Sequence, residues 1–360
     1  MTEAIDLSRR PERATARRHL SGHPPQDMRS RLHALADSPD AAGPPDRYGG
    51  GEIVRTVEAE VAALLGMPSA IFVIKGVIAQ QAVLRTWTDR RGAPSVAVHP
   101  LSHVDLDEAS AYERLHGLRP VRLGRHRPFT TADLDRVAER LGAVVVELPL
   151  RRAGHLLPSW DELVAISDWC RSREVPLHLD GARLWEAAPG LGHSPAEIAA
   201  LADSVYVSFY KGLGGLGGCA LLAPADVLAE AGVWVTRHGG SMFAAFPYAL
   251  AALAGLRTEL PRMAGHHRRA AGLAAAIAAA DGLAVVPDPP HTNAFQVHLA
   301  AAPESVADAV ARTARDTGVW LTDRVSATAR PGTAMIEVTV GPSTADLPDA
   351  EAAALLAGLI

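Results

Sequence analysis

Lysine is nearly absent from this chain. Of the 35 lysines and arginines in 360 residues, only Lys75 and Lys211 are lysines, so chemistry that needs a side-chain amine has two candidates. Cysteine is equally scarce. Cys170 and Cys219 show no metal-ligand spacing, so no metal site is expected, and they build no disulfide framework, which excludes a stapled secreted scaffold. Long apolar runs are missing too: alanine-rich stretches such as YALAALAGL and GLAAAIAAADGLAVV break well short of the ~18 residues a membrane span needs. Without an apolar leader, the cysteine usage leads us to expect a cytoplasmic protein that makes no membrane contact. A formal charge of -5 provides no electrostatic basis for binding nucleic acid.

What is present is an ordinary globular composition, 48% hydrophobic and 21% charged, in a chain long enough for one large domain and one smaller one. Residues 1–45 are punctuated by proline, glycine and arginine, with one helical stretch in DMRSRLHALAD, and read as an N-terminal arm. The arginines of SRRPERATARRHL lie beside Glu3, Asp6 and Glu12, which suits a solvated or clasping segment better than a phosphate-binding tail. From Glu52, apolar residues recur at helical spacing through Ile53, Val54, Val57, Val61, Leu64 and Leu65, and Gly66 supplies the left-handed stop. The strand-like runs SAIFVI, SVAVHP, PVRL, AVVVELP and PLHLD then alternate with helical runs, among them DEASAYERL, TADLDRVAERL and WDELVAISDWCRS. Ser194 and Glu197, with Pro195 between them, form a capping box for one more helix. Continuous apolar strands separated by amphipathic helices predict an α/β domain over 46–255 with a mainly parallel sheet. A smaller α+β domain is expected over 256–360, with strands in NAFQVHLA and AMIEVTV and helices in SVADAVARTARDTG and DAEAAALLAGL.

Two motifs carry chemistry. In SFYKGLGGLGGCALLA, Gly212, Gly214 and Gly217 fit the dinucleotide spacing G-x-G-x-x-G, but a strand follows where that motif needs a helix. The glycines are better suited to a tight reversal beside a bulky ligand. In HLDGAR, Asp180 closes an apolar strand, at the end of a parallel strand where ligands bind. A buried aspartate there needs a cationic partner, which either Arg183 or a protonated pyridine nitrogen could be.

HLDGARLWEAA, ADSVYVSFYKGLGG and TRHGGSMF, in that order, resemble the successive signatures of the threonine aldolase and β-eliminating lyase group of fold-type I enzymes, which use pyridoxal phosphate (PLP). The resemblance runs from about Tyr48 through most of the large domain. It implies an aspartate aminotransferase-like large domain in which Lys211 forms the Schiff base, Asp180 holds the pyridine nitrogen and Arg183 contacts phosphate or substrate carboxylate. His103 would stack on the cofactor and assist proton transfer, and Gly76, Val77 and Ile78 in KGVIAQQ would form the phosphate turn. Ser208, on the strand leading to Lys211, completes the cofactor candidates; Arg183, Arg152, Arg237 and Ser21 are the substrate candidates.

This chain departs from the family in several places. Lys75 and Val77 stand where hydroxyl residues are common, and Phe243 replaces an arginine that helps bind phosphate, so Lys75 is expected to restore the missing charge. Arg152 falls where aldolases have a second histidine, with His155 three residues off that register, and arginine is no base at neutral pH. Ile336 lies near the family's carboxylate-binding arginine. The expected activity is retro-aldol cleavage of L-threonine-like β-hydroxy amino acids to glycine and an aldehyde, by a homodimer or homotetramer. Racemisation, β-elimination or β-replacement on a small amino acid is the alternative, and a non-catalytic scaffold is the remaining one.

Overall fold

The structure, a computed structural model, describes residues 4–360. The chain forms two compact units, one made of Asp27–Pro261 and the other of the chain up to Gln26 together with Arg262–Ile360. The segment read as an arm therefore divides between them.

The Asp27–Pro261 unit is built on a seven-stranded sheet. Five neighbouring strands, Ser204–Ser208, Leu177–Gly181, Leu141–Glu147, Ser95–Val98 and Arg119–Arg122, run parallel, whereas Cys219–Leu222 pairs antiparallel with both Ser204–Ser208 and Ala70–Val73. Four of these strands are buried from end to end. This is the physical reason they read as continuous apolar runs rather than alternating ones. The helix Gly76–Arg91 packs across the sheet through Ala79, Ala82, Val83 and Leu84, all fully buried in one core with Val96, Val98 and Tyr206.

Local chemistry sets several boundaries. Gly66 takes the left-handed φ of 59° after the helix Glu52–Leu64, and the Ser194–Glu197 capping box opens Pro195–Ala199. Two expected helices are shorter than their sequence runs. The DEASAYERL helix begins only at Ala111, because Ala109 and Ser110 adopt left-handed φ values of 52° and 57° and Glu108 turns back toward His103. The TADLDRVAERL helix is a single turn, Thr131–Leu134; Glu139 is held instead by the Ser95 hydroxyl at 2.7 Å, and the next strand starts at Leu141.

The second unit is a five-stranded antiparallel sheet in the order Ile5–Asp6, Arg324–Ala327, Ala334–Thr339, Ala294–Leu299, Leu283–Val286. The helices Met263–Ala278, Pro303–Thr317 and Asp349–Ala357 share its core through Leu273, Val310 and Leu356, with Phe295 and Ile336 contributed by the sheet. Its N-terminal arginines are ion-paired: Arg13 with Asp323 at 2.5 Å and Arg18 with Glu351 at 2.7 Å. Among the described residues, no helix is long and apolar enough to cross a membrane.

Candidate active site

At the carboxyl ends of three adjacent parallel strands, the register sets Glu147 beside Asp180 and Asp180 beside Tyr206. Neighbouring strands lie about 4.8 Å apart, so two carboxylates and a phenol stand in one row at the sheet edge where α/β proteins bind ligands. The next turn of chain after Ser204–Ser208 delivers Lys211, whose Nζ lies 5.9 Å from the Tyr210 ring centre.

Two adjoining cavities, of about 110 and about 190 Å³, share His103, Asp107, Asp180, Ala182 and Lys211 as walls. The first is completed by Glu147, Arg151, Arg152 and Arg183, among others, and the second by Lys75, Gly76, Val77, Gln80, Tyr206 and Tyr210. The structure thus gathers Lys211, Asp180, His103, Arg183, Arg152, Lys75, Gly76 and Val77 around one hollow. Ile78 packs into the neighbouring apolar core instead. Ser208 is buried and donates its hydroxyl to the Ala182 carbonyl at 2.7 Å, so it braces the site from behind. Arg237 is exposed, its guanidinium carbon 4.4 Å from the Trp234 ring centre, and Ser21, in the other unit, donates to the His23 carbonyl; neither lines the cavities.

The electrostatics follow from burial. Lys211 is pushed down to about 8, first by burial and then by the neighbouring Arg183, with Asp180, Glu147 and Glu186 opposing. The neutral, nucleophilic amine is therefore far more populated near neutral pH than in an ordinary lysine, whose pKa is about 10.4. Burial, and secondarily the Asp180 charge, holds Glu147 above the usual carboxylate range, although its oxygens accept the backbone N–H groups of His103 at 2.7 Å and Arg151 at 3.1 Å. His103 is raised chiefly by its bond to Glu108, 3.0 Å from Nδ1 to Oε1. Glu108 is itself raised by burial, with the His103 contact opposing that rise. Arg152 forms a bidentate pair with Asp107, which takes up its charge at the cavity wall.

Backbone geometry shapes the rest. The helix Gly76–Arg91 begins after Lys75 with no side chain capping its first N–H groups, which leaves donors for an anion. A Cβ on Gly76 would collide with the Tyr206 hydroxyl, so only glycine allows the helix start to lie against that strand. Gly212 donates its N–H to Glu186 at 3.0 Å, and a Cβ there would strike the same carboxylate. Asp180 accepts the Ala182 N–H at 3.2 Å, which fixes its carboxylate.

Sequence reasoning missed Glu147, Glu108, Gln80, Tyr206, Asp107 and Arg151. Glu147 ends AVVVE just as Asp180 ends PLHLD, so the same signal was available for it. Gln80 and Tyr206 lie within a helical and a strand run, where nothing but the fold reveals which side faces a hollow.

Comparison with known proteins places the chain among known relatives. An aldolase of Penicillium aethiopicum is 34% identical over 200 residues, 52% of this chain and 50% of that protein. A low-specificity L-threonine aldolase of Candida albicans is 29% identical over 206 residues, 54% of each chain. The match thus spans about half the length of these curated relatives. A crystal structure from Listeria monocytogenes, provisionally named an L-allo-threonine aldolase, is 34% identical, superposes with a TM-score of 0.91, and is matched over 97% of this chain and 96% of its own. Since the model of the beta-eliminating lyase family also matches residues 23–302, this chain belongs to the beta-eliminating lyase family.

Proposed function

We propose that this chain is a PLP-dependent aldolase-type lyase that cleaves L-threonine-like β-hydroxy amino acids to glycine and an aldehyde. The observation that carries the reading is Lys211: a half-buried lysine whose amine is brought down to about 8, in the same hollow as a buried strand-end carboxylate and an uncapped helix N-terminus. These are the groups PLP needs, a nucleophile, an acceptor and a set of donors, and they fit it. The Lys211 amine suits its aldehyde, Asp180 its pyridinium N–H, and the Gly76 and Val77 N–H groups, with Lys75, its phosphate. The buried Gln80 amide nitrogen, with no partner among the described residues, adds a donor on the same wall.

When bound, PLP supplies a conjugated cationic ring that accepts the electron pair released at Cα. The protein's own groups do the rest. Arg183 binds the substrate carboxylate, and Arg152 is kept in place by Asp107. His103, whose Nδ1 is engaged by Glu108, has Nε2 left to take the β-hydroxyl proton as the Cα–Cβ bond breaks and the aldehyde C=O forms. A proton returned to Cα completes glycine, so the reaction needs no oxidant or reductant. The active assembly is a homodimer or homotetramer.

The test is product analysis with L-threonine, L-allo-threonine, phenylserine and serine. Equal amounts of glycine and aldehyde support the reading. The matching 2-oxo acid and ammonia (pyruvate from serine, 2-oxobutyrate from threonine), or racemised substrate without aldehyde, would replace it with β-elimination or racemisation.

A further inference from the structure

A second ligand contact stands behind the residues already assigned. Four buried polar side chains form a line into the larger cavity. The Trp87 indole Nε1 lies 2.9 Å from the Ser204 hydroxyl, that hydroxyl lies 2.9 Å from His178 Nδ1, and His178 Nε2 lies 2.6 Å from Gln80 Oε1. Ser204 and His178 are fully buried and Gln80 is 1% exposed.

The donors give this line a direction. An indole N–H can only donate, so Ser204 accepts from Trp87; an amide oxygen can only accept, so the contact with Gln80 Oε1 puts the hydrogen on His178 Nε2 and leaves Nδ1 to accept from the Ser204 hydroxyl. His178 is then the tautomer protonated on Nε2, and that N–H donates to the Gln80 carbonyl oxygen. Burial supports the neutral ring by pushing His178 down to about 4. With its oxygen committed, the Gln80 amide must turn its NH2 the other way. Nε2 is buried there without a partner among the described residues, on a side chain lining the cavity with Lys75, Gly76, Asp180 and Lys211. A buried amide donor left without an acceptor forfeits its hydration for nothing, so a native fold that keeps one has a use for it.

We infer that Gln80 is a cofactor-binding residue whose NH2 donates to an acceptor atom of bound PLP, with His178 and Ser204 as positioning residues that fix the amide's orientation. Gln80 lies four residues, about one helical turn, beyond Gly76 on the same helix. One face of that helix therefore meets the ligand twice, through its uncapped N-terminus and through this side chain. The inference rests on the PLP reading above.

The experiment measures PLP affinity of the apoenzyme by fluorescence quenching and apo Tm separately, for wild type, Gln80→Met and Gln80→Glu. Gln80→Met removes the donor and the His178 acceptor without adding charge, and its PLP Kd should rise about tenfold, the value of one hydrogen bond to a buried ligand. Gln80→Glu still accepts the His178 N–H, so its Tm should stay near wild type while its Kd rises. If Gln80 only supports His178, Gln80→Met will lose Tm yet bind PLP as wild type does, and that result overturns the inference; so does wild-type affinity in Gln80→Glu. Failure of the underlying reading appears in a different place: wild type itself would take up no PLP, and both claims would fall.

Discussion

Lys211 and His103 are the two residues whose protonation the account depends on, and each makes a pH prediction. Lys211 reacts as the neutral amine, which exists above its pKa. Its value is lowered to about 8, so PLP uptake by the apoenzyme should accelerate as pH rises through about 8 and then level off. A rate still climbing toward the ordinary lysine value of about 10.4 would contradict the buried environment. His103 is raised chiefly by Glu108. As a base it must be neutral, so activity is lost as pH falls through its pKa. Removing the carboxylate in Glu108→Gln should lower that pKa and move the acid limb of the kcat/KM profile to lower pH, measured with threonine; an unmoved limb would remove His103 from proton transfer. Both residues were legible in sequence, Lys211 by rarity and position and His103 by resemblance. Glu108 was not, because a carboxylate five residues away reaches His103 only when Ala109 and Ser110 take left-handed backbone.

Among the elements, the helix Gly76–Arg91 carries the site and shows how tightly it is seated. A methyl group at Gly76 would meet the Tyr206 ring and hydroxyl, and both residues are buried. Gly76→Ala should therefore destabilise the protein by roughly 1–3 kcal/mol, read from the shift in urea midpoint, and should weaken PLP binding as the helix start moves outward. A variant as stable as wild type, binding PLP equally well, would mean that the helix start can retreat without cost. The strands at this edge were legible because burial on both faces leaves uninterrupted apolar letters, as in AVVVE and PLHLD. The truncated helix at Thr131–Leu134 was not, since its termination depends on Ser95 taking Glu139 across 44 residues of sequence.

For the whole molecule, the α/β architecture of the large unit could be read from periodicity, but the allegiance of the first 26 residues could not. Ile5–Asp6 is a strand of two residues whose partner lies at Arg324 and Val325, and no local pattern announces a pairing so distant. Arg13 and Arg18, which gave the arm its basic look, are spent on Asp323 and Glu351 in the same unit. Met28, Leu32, Tyr48 and Phe243 remain 84%, 65%, 68% and 61% exposed; the proposed homo-oligomer would give such surface a partner. Light scattering at micromolar concentration should return a dimer or tetramer mass, and a monomer would contradict it.

The central claim is that one of two lysines holds the cofactor, and the scarcity of lysine makes it a two-way question. Wild-type protein incubated with PLP, reduced with borohydride and digested should carry the pyridoxyl group on the peptide containing Lys211, with Lys75 unmodified. A label on Lys75, or on neither, would contradict the account.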